Sequence, residues 1–79
     1  TYKFFKQYTF MMKRIITDTK ILSGKPVIKG TRISVEFILQ LLNSGMNIED
    51  IVKEYSHLEK EDILAVLDYA TKITIHKAQ

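Results

Sequence analysis

Few side chains in this 79-residue chain are equipped for chemistry, and most of those that are carry positive charge. There are two histidines, His57 and His76, no cysteine, and no His-x-x-x-His pair. A metal site needs three or four ligands at defined spacing, so a lone histidine is more often solvated or capping. Glu61-Asp62 could pass for an acid–base pair, but two carboxylates opening a helix are more simply a match to its dipole. The remaining candidate is Gly24-Lys-Pro-Val-Ile-Lys-Gly-Thr-Arg-Ile33, with two glycines, a proline and three cations around three aliphatic residues. It lacks the Gly-Lys-Ser/Thr ending of a phosphate loop. Gly24 and Gly30 are expected turn positions with positive φ, and Pro26 biases Lys25 towards extended backbone. Val27, Ile28 and Ile33 can pin the loop to a core, which leaves Lys25, Lys29 and Arg32 for an anionic partner. The plainer alternative is a solvated turn leading into a helix. No catalytic residue, metal ligand or cofactor-binding residue is expected, and the chain is not read as an enzyme.

Charge distribution sharpens this picture. Residues 1–33 carry eight cations against Asp18, a balance of +7, whereas residues 34–79 carry four cations against eight carboxylates, −4, giving the +3 of the whole chain. One end is thus suited to an anion and the other to water or a basic partner, or the two suit each other in self-association. The cations at Lys13, Arg14, Lys20, Lys25, Lys29 and Arg32, with Thr31 among them, are the candidate contacts to DNA or to a partner protein.

The elements that must position them follow from pattern. Arg14-Ile-Ile-Thr-Asp18 and Pro26-Val-Ile28 read as two short extended pieces, together a small β-hairpin packed on helices. Ser34 is an N-cap, and Val35, Ile38, Leu39 and Leu42 form a helical stripe that Gly45 ends at C′. Phe37 and Leu41 add a second apolar ridge, so this helix is central or covered by a partner. Asn47 with Asp50 forms a capping box for a short helix with Ile48, Ile51, Val52 and Tyr55 inward. A third helix is expected over about residues 60–72, burying Ile63, Val66, Leu67 and Ala70. The tail from Ile73 to Lys77 alternates and reads as a strand or a frayed end. Residues 1–12, with Tyr2, Phe4, Phe5, Tyr8 and Phe10, are set apart as an arm: an added strand, cover for a partner, or a segment ordered only in a complex. Met11-Met12 offers an alternative start, in which case the arm is non-native. Residues 13–79 then make one helix-turn-helix-like domain, mainly α and homeodomain-like, with short N-terminal β-strands.

At 46% hydrophobic content and this length the chain is near the lower limit for a self-sufficient core. A homodimer or higher oligomer is expected, with Phe37, Leu41, Ile73 and Ile75 as the candidate oligomer or partner face. No apolar run approaches a membrane span, so no membrane partner is expected, and the absence of cysteine fits a cytoplasmic location.

Gly24, Pro26, Ile28, Gly30-Thr-Arg-Ile33, Val35, Ile38, Leu42 and Gly45 together resemble the signature of domain-of-unknown-function family 433. Ile51, Tyr55, Leu58, Glu61-Asp-Ile63 and Tyr69-Ala70 continue in register, so the resemblance covers roughly residues 15–71. Three positions depart from the pattern: Ser23 in place of a further glycine, Ser56 in place of a proline, and Glu59 in place of a capping Thr or Ser. The resemblance implies a homeodomain-like fold and a VapB-like antitoxin of a type II toxin–antitoxin system. Its partner would be a cognate PIN-like ribonuclease toxin, with operator DNA as a second one. A stand-alone DNA-binding regulator and an interaction module without nucleic acid are the alternatives. On either DNA-binding reading the opening of helix 3 is unpromising, since Glu59, Lys60, Glu61, Ala65 and Asp68 offer bases little.

Overall fold

The computed structural model describes residues 13–78, with side-chain surroundings through residue 73. The arm at residues 1–12 lies outside the described residues. The order is β1 (Ile15–Ile16), a 3-10 turn (Leu22–Gly24), β2 (Val27–Ile28), α1 (Val35–Asn43), α2 (Ile48–Glu54) and α3 (Lys60–Ala78). This is the expected mainly α, three-helix domain with short N-terminal strands.

Each junction has a local cause. β1 and β2 pair antiparallel, Ile15 opposite Ile28 and Ile16 opposite Val27, which places Ile28 in the core and carries the chain back across the helices. Ser34 Oγ accepts from the Phe37 N–H at 2.9 Å and so satisfies one donor that α1 leaves open. At the other end Gly45, at φ +107°, closes a Schellman motif. Its N–H donates to Leu42 O at 3.1 Å and the Met46 N–H to Leu41 O at 3.2 Å. Asn47 and Asp50 form the reciprocal capping box, Oδ1 of Asn47 accepting from Asp50 N–H at 2.8 Å and Oδ2 of Asp50 from Asn47 N–H at 3.2 Å. Residues 55–59 then turn the chain into α3, against which α1, α2 and β1 all pack.

The core is one cluster of Ile28, Val35, Ile38, Ile51, Leu58, Ile63 and Val66, with Leu39, Leu41, Leu42 and Tyr55 half-buried against it. Phe37 sits at the margin, meeting the Tyr55 ring edge-on at 5.9 Å.

Two features of α3 differ from expectation. Its inward face is rotated: Asp62 and Ala65 are buried at 8% and 2% exposure, whereas Leu67 is 38% exposed. Ile63 and Val66 are fully buried as expected, so the buried positions of α3 are 62, 63, 65 and 66, with the side carrying Asp62 held in by Arg14 on the hairpin. The tail is also helix and not strand. Residues 73–77 continue α3 to Ala78, since extending an established helix costs little when no glycine or proline interrupts it.

The turn before β2 is strained. Leu22, Ser23 and Gly24 occupy positive φ in succession, at +49°, +57° and +87°. Only glycine adopts that region freely; a residue with a Cβ loses roughly 1–2 kcal/mol there. Ser23 thus holds a backbone conformation better suited to glycine. Ser23→Gly should therefore stabilise the domain by about 1 kcal/mol, less the entropy glycine loses on folding. In thermal unfolding the net gain is a Tm rise of a few degrees, at most about 4–8 °C for a domain of this size; a lower Tm would show that the turn is relaxed.

Candidate contact surface

The expected cations are not equivalent once folded. Arg14 directly precedes β1 and reaches across to the start of α3. Its Nη1 donates to Asp62 Oδ1 at 2.9 Å and to Glu59 Oε1 at 3.1 Å. The other oxygen of Asp62 accepts from the Glu59 N–H at 2.8 Å. Asp62 therefore does two jobs: it caps the first turn of α3 and anchors the hairpin. Among the described residues it is the one buried charged side chain. The Arg14 side chain itself is only 20% exposed. Burial there works against its charge, but the hydrogen bonds and charges of Asp62 and Glu59 outweigh that, and the guanidinium is held above its ordinary pKa. Arg14 thus acts first within the fold, a different task from the outward contact expected of it.

Thr31 is likewise engaged inside the molecule. Its hydroxyl donates to Ile28 O at 2.8 Å and accepts from the Ile33 N–H at 2.9 Å, while its own N–H donates to Ile28 O at 3.0 Å. With Gly30 at φ +82°, these bonds knit the loop between β2 and α1. In Gly30-Thr31-Arg32 the first residue permits the turn and the second locks it. The third stands exposed.

Lys13, Lys20, Lys29 and Arg32 are exposed and make no ion pair among the described residues. The fold brings Lys13 and Lys29 together beside Arg14 and Asp62, where the four line a cleft of about 300 Å³. The strand register causes this: the Lys29 N–H donates to Arg14 O at 2.7 Å, so their neighbours share one end of the hairpin. Lys20 and Arg32 line neither this cleft nor the groove between helices. Lys25 points elsewhere, its Nζ 3.3 Å from Glu36 Oε1, both exposed.

The residues expected to form an oligomer face separate in the same way. Phe37 packs on Tyr55, Leu41 is half-buried against the core, and Ile73 lines a larger groove between α1 and α3. The side chain of Ile75 lies outside the described residues. Sequence reasoning missed Asp62 as an anchor, although Glu59-x-x-Asp62 has the spacing of a capping box. It missed the α1–α3 groove because nothing local signals which inward positions outrun their cover.

The start of α3 is acidic. Glu59, Glu61 and Asp62 cluster there, Ala65 is buried, and Lys60 is the one cation of the first turn. Carboxylates at that end disfavour docking it against phosphates. No helix among the described residues is long and apolar enough to cross a membrane.

The model of a family described as a protein of unknown function, DUF433, matches residues 15–70. The chain belongs to the DUF433 family. A curated relative named "Uncharacterized protein", from Archaeoglobus fulgidus, is 50% identical over 32 residues, which span 40% of this chain and 89% of that protein. No solved structure matches the chain. The matched span opens at Ile15, one residue after Arg14, and includes Glu59 and Asp62, so in this DUF433 chain the anchoring cation stands just outside the family region.

The Arg14–Asp62 contact should be measurable directly. Arg14→Met leaves a buried carboxylate without its cation and should destabilise the domain by about 2 kcal/mol, below the range for fully buried pairs because the arginine keeps some solvent contact. Combined with Asp62→Asn in a denaturant double-mutant cycle, the two should show a coupling of about 1 kcal/mol or more. Additivity within about 0.5 kcal/mol would mean that the pair carries no energy of its own.

Proposed function

We propose that this DUF433 chain is a cytoplasmic, VapB-like antitoxin that binds and neutralises a PIN-like ribonuclease toxin, with operator DNA as a second partner. The observation that supports the reading is the exposed, predominantly basic end of the hairpin, where Lys13 and Lys29 flank one cleft whose carboxylate, Asp62, is already held by Arg14, and Arg32 stands on the following loop. A ribonuclease of that class holds its metal with a cluster of carboxylates. A rigid cationic edge is electrostatically matched to cover such a site and gains on-rate as well as affinity from it.

The same edge is matched to phosphates, which supports the regulator reading in a restricted form. Any DNA contact would run through the hairpin cations and not through the opening of α3, since the carboxylates there repel a backbone. A β-ribbon or arm reading DNA has precedent as a docking mode.

Co-expression with the product of the neighbouring gene tests both. The expected result is a complex that co-purifies and silences RNA cleavage by the partner. Charge reversal at Lys29 and Arg32 should weaken it more than about tenfold at low salt, with a shallower salt dependence than the parent, while Lys60→Ala changes little. The opposite ranking would overturn the assignment of the contact to the hairpin. Absence of any complex, together with a salt-sensitive shift of upstream DNA that needs the same two cations, would replace the antitoxin reading with the regulator.

A further inference from the structure

We infer that the apolar groove between α1 and α3 seats a second copy of this chain, packed about a two-fold axis. The groove has a volume of about 480 Å³ and is lined by Val35 and Leu39 of α1 and by Tyr69 and Ile73 of α3, with Lys25 and Glu36 at its rim. It exists because two helices of unequal length lie together. α3 has 19 residues and α1 has nine, about 28 Å against about 14 Å. Ile73 continues the inward stripe of Asp62, Val66 and Tyr69, yet it is 39% exposed. Its inward face has outrun the helix that covers it. Only nine apolar residues are buried among the described ones, and a domain this small gains most from covering such a face.

Charge selects the occupant. A two-fold interface is isologous, so its rim must complement itself. The groove rim does: Lys25 and Glu36 are 3.3 Å apart and 61% and 63% exposed, so each can meet its opposite across the axis. On α3, Asp68 and Lys72, one position before Tyr69 and Ile73, repeat the balance of one anion and one cation. The hairpin edge with Lys13, Lys29 and Arg32 is predominantly positive, its nearby carboxylates Asp62 and Glu59 being paired with Arg14, and would repel its own copy. An apolar floor with a neutral rim has no attraction for a nucleic acid. Pairing through α1 and α3 joins two copies while leaving both hairpin edges open to another partner. This inference stands whether or not that partner is a toxin.

Sedimentation equilibrium on the full chain, from micromolar to millimolar, should show a reversible monomer–dimer equilibrium. Ile73→Glu should raise the dissociation constant by at least about tenfold, since it forces a charge against an apolar floor. Phe37→Ser, off the groove, should not. Because Ile73→Glu could disturb the fold, the rim gives an independent test. Lys25→Glu and Glu36→Lys, each alone, should dimerise poorly, whereas an equimolar mixture should form a heterodimer visible by native mass spectrometry. A full chain that stays monomeric at millimolar concentration overturns the inference, as it would if the chain's own residues 1–12 occupied the groove. A dimer indifferent both to Ile73→Glu and to the rim charges overturns it equally.

Discussion

The structure depends on one contact made across nearly the whole domain, the guanidinium of Arg14 on the carboxylate of Asp62. Forty-eight residues separate the two in sequence, so the contact closes the chain from its first strand to its last helix. The strands it anchors are two residues each, too short to hold themselves together by pairing alone. Arginine suits the position because one planar group reaches both Asp62 and Glu59. Aspartate suits the other side because one oxygen takes the cation while the second caps the Glu59 N–H, with the helix dipole favouring the negative charge. A buried ion pair is a weak source of net stability, since desolvation offsets most of the attraction. Here its contribution is register: it fixes where the hairpin sits on α3.

From that follows the separation of charge that makes the surface usable. The carboxylates opening α3 are partly neutralised from within, by a cation that sequence order places at the basic end of the chain. The cations that remain, Lys13, Lys29 and Arg32, are carried on backbone fixed by the Thr31 bonds and by the strand pairing. A rigid mount matters for an exposed lysine, because the attraction of a mobile ammonium is largely lost to screening and to side-chain entropy. The surface pair Lys25–Glu36 shows the contrast: both groups are more than half exposed, and their bond adds little to stability.

What was legible in the sequence was what neighbours decide. Ser34, the Asn47–Asp50 box and the Gly45 stop are written in four or five consecutive residues, and the structure has each where those rules place it. Positive φ at Gly24 and Gly30 is of the same kind. The rotation of α3 was not legible, because period 3.6 admits Leu67 as readily as Asp62 on an inward stripe, and an unpartnered aspartate reads as polar. Only a cation from forty-eight residues away makes Asp62 an inward residue. The tail was not legible for a related reason: alternation over five residues fits a strand, but a helix running from Lys60 is extended through the tail to Ala78 and not replaced. Of the candidate contacts, exposure kept Lys13, Lys20, Lys29 and Arg32 outward, while Thr31 and Arg14 were claimed by the fold.

The two surfaces left over answer to different physics, and that gives the molecule independent controls. Attraction through the hairpin edge is electrostatic and falls as ionic strength shortens the Debye length, about 10 Å at 0.1 M salt. Association through the α1–α3 groove removes apolar area from water, an effect that excluded salts strengthen. The edge is set by Arg14 and the loop after β2, the groove by how far α3 extends past α1, and neither uses the other's residues. A change that weakens grip on an anion therefore need not touch assembly. Where both operate, each added copy brings a second basic edge, and the effective concentration of the second contact multiplies the strength of the first without any new interaction.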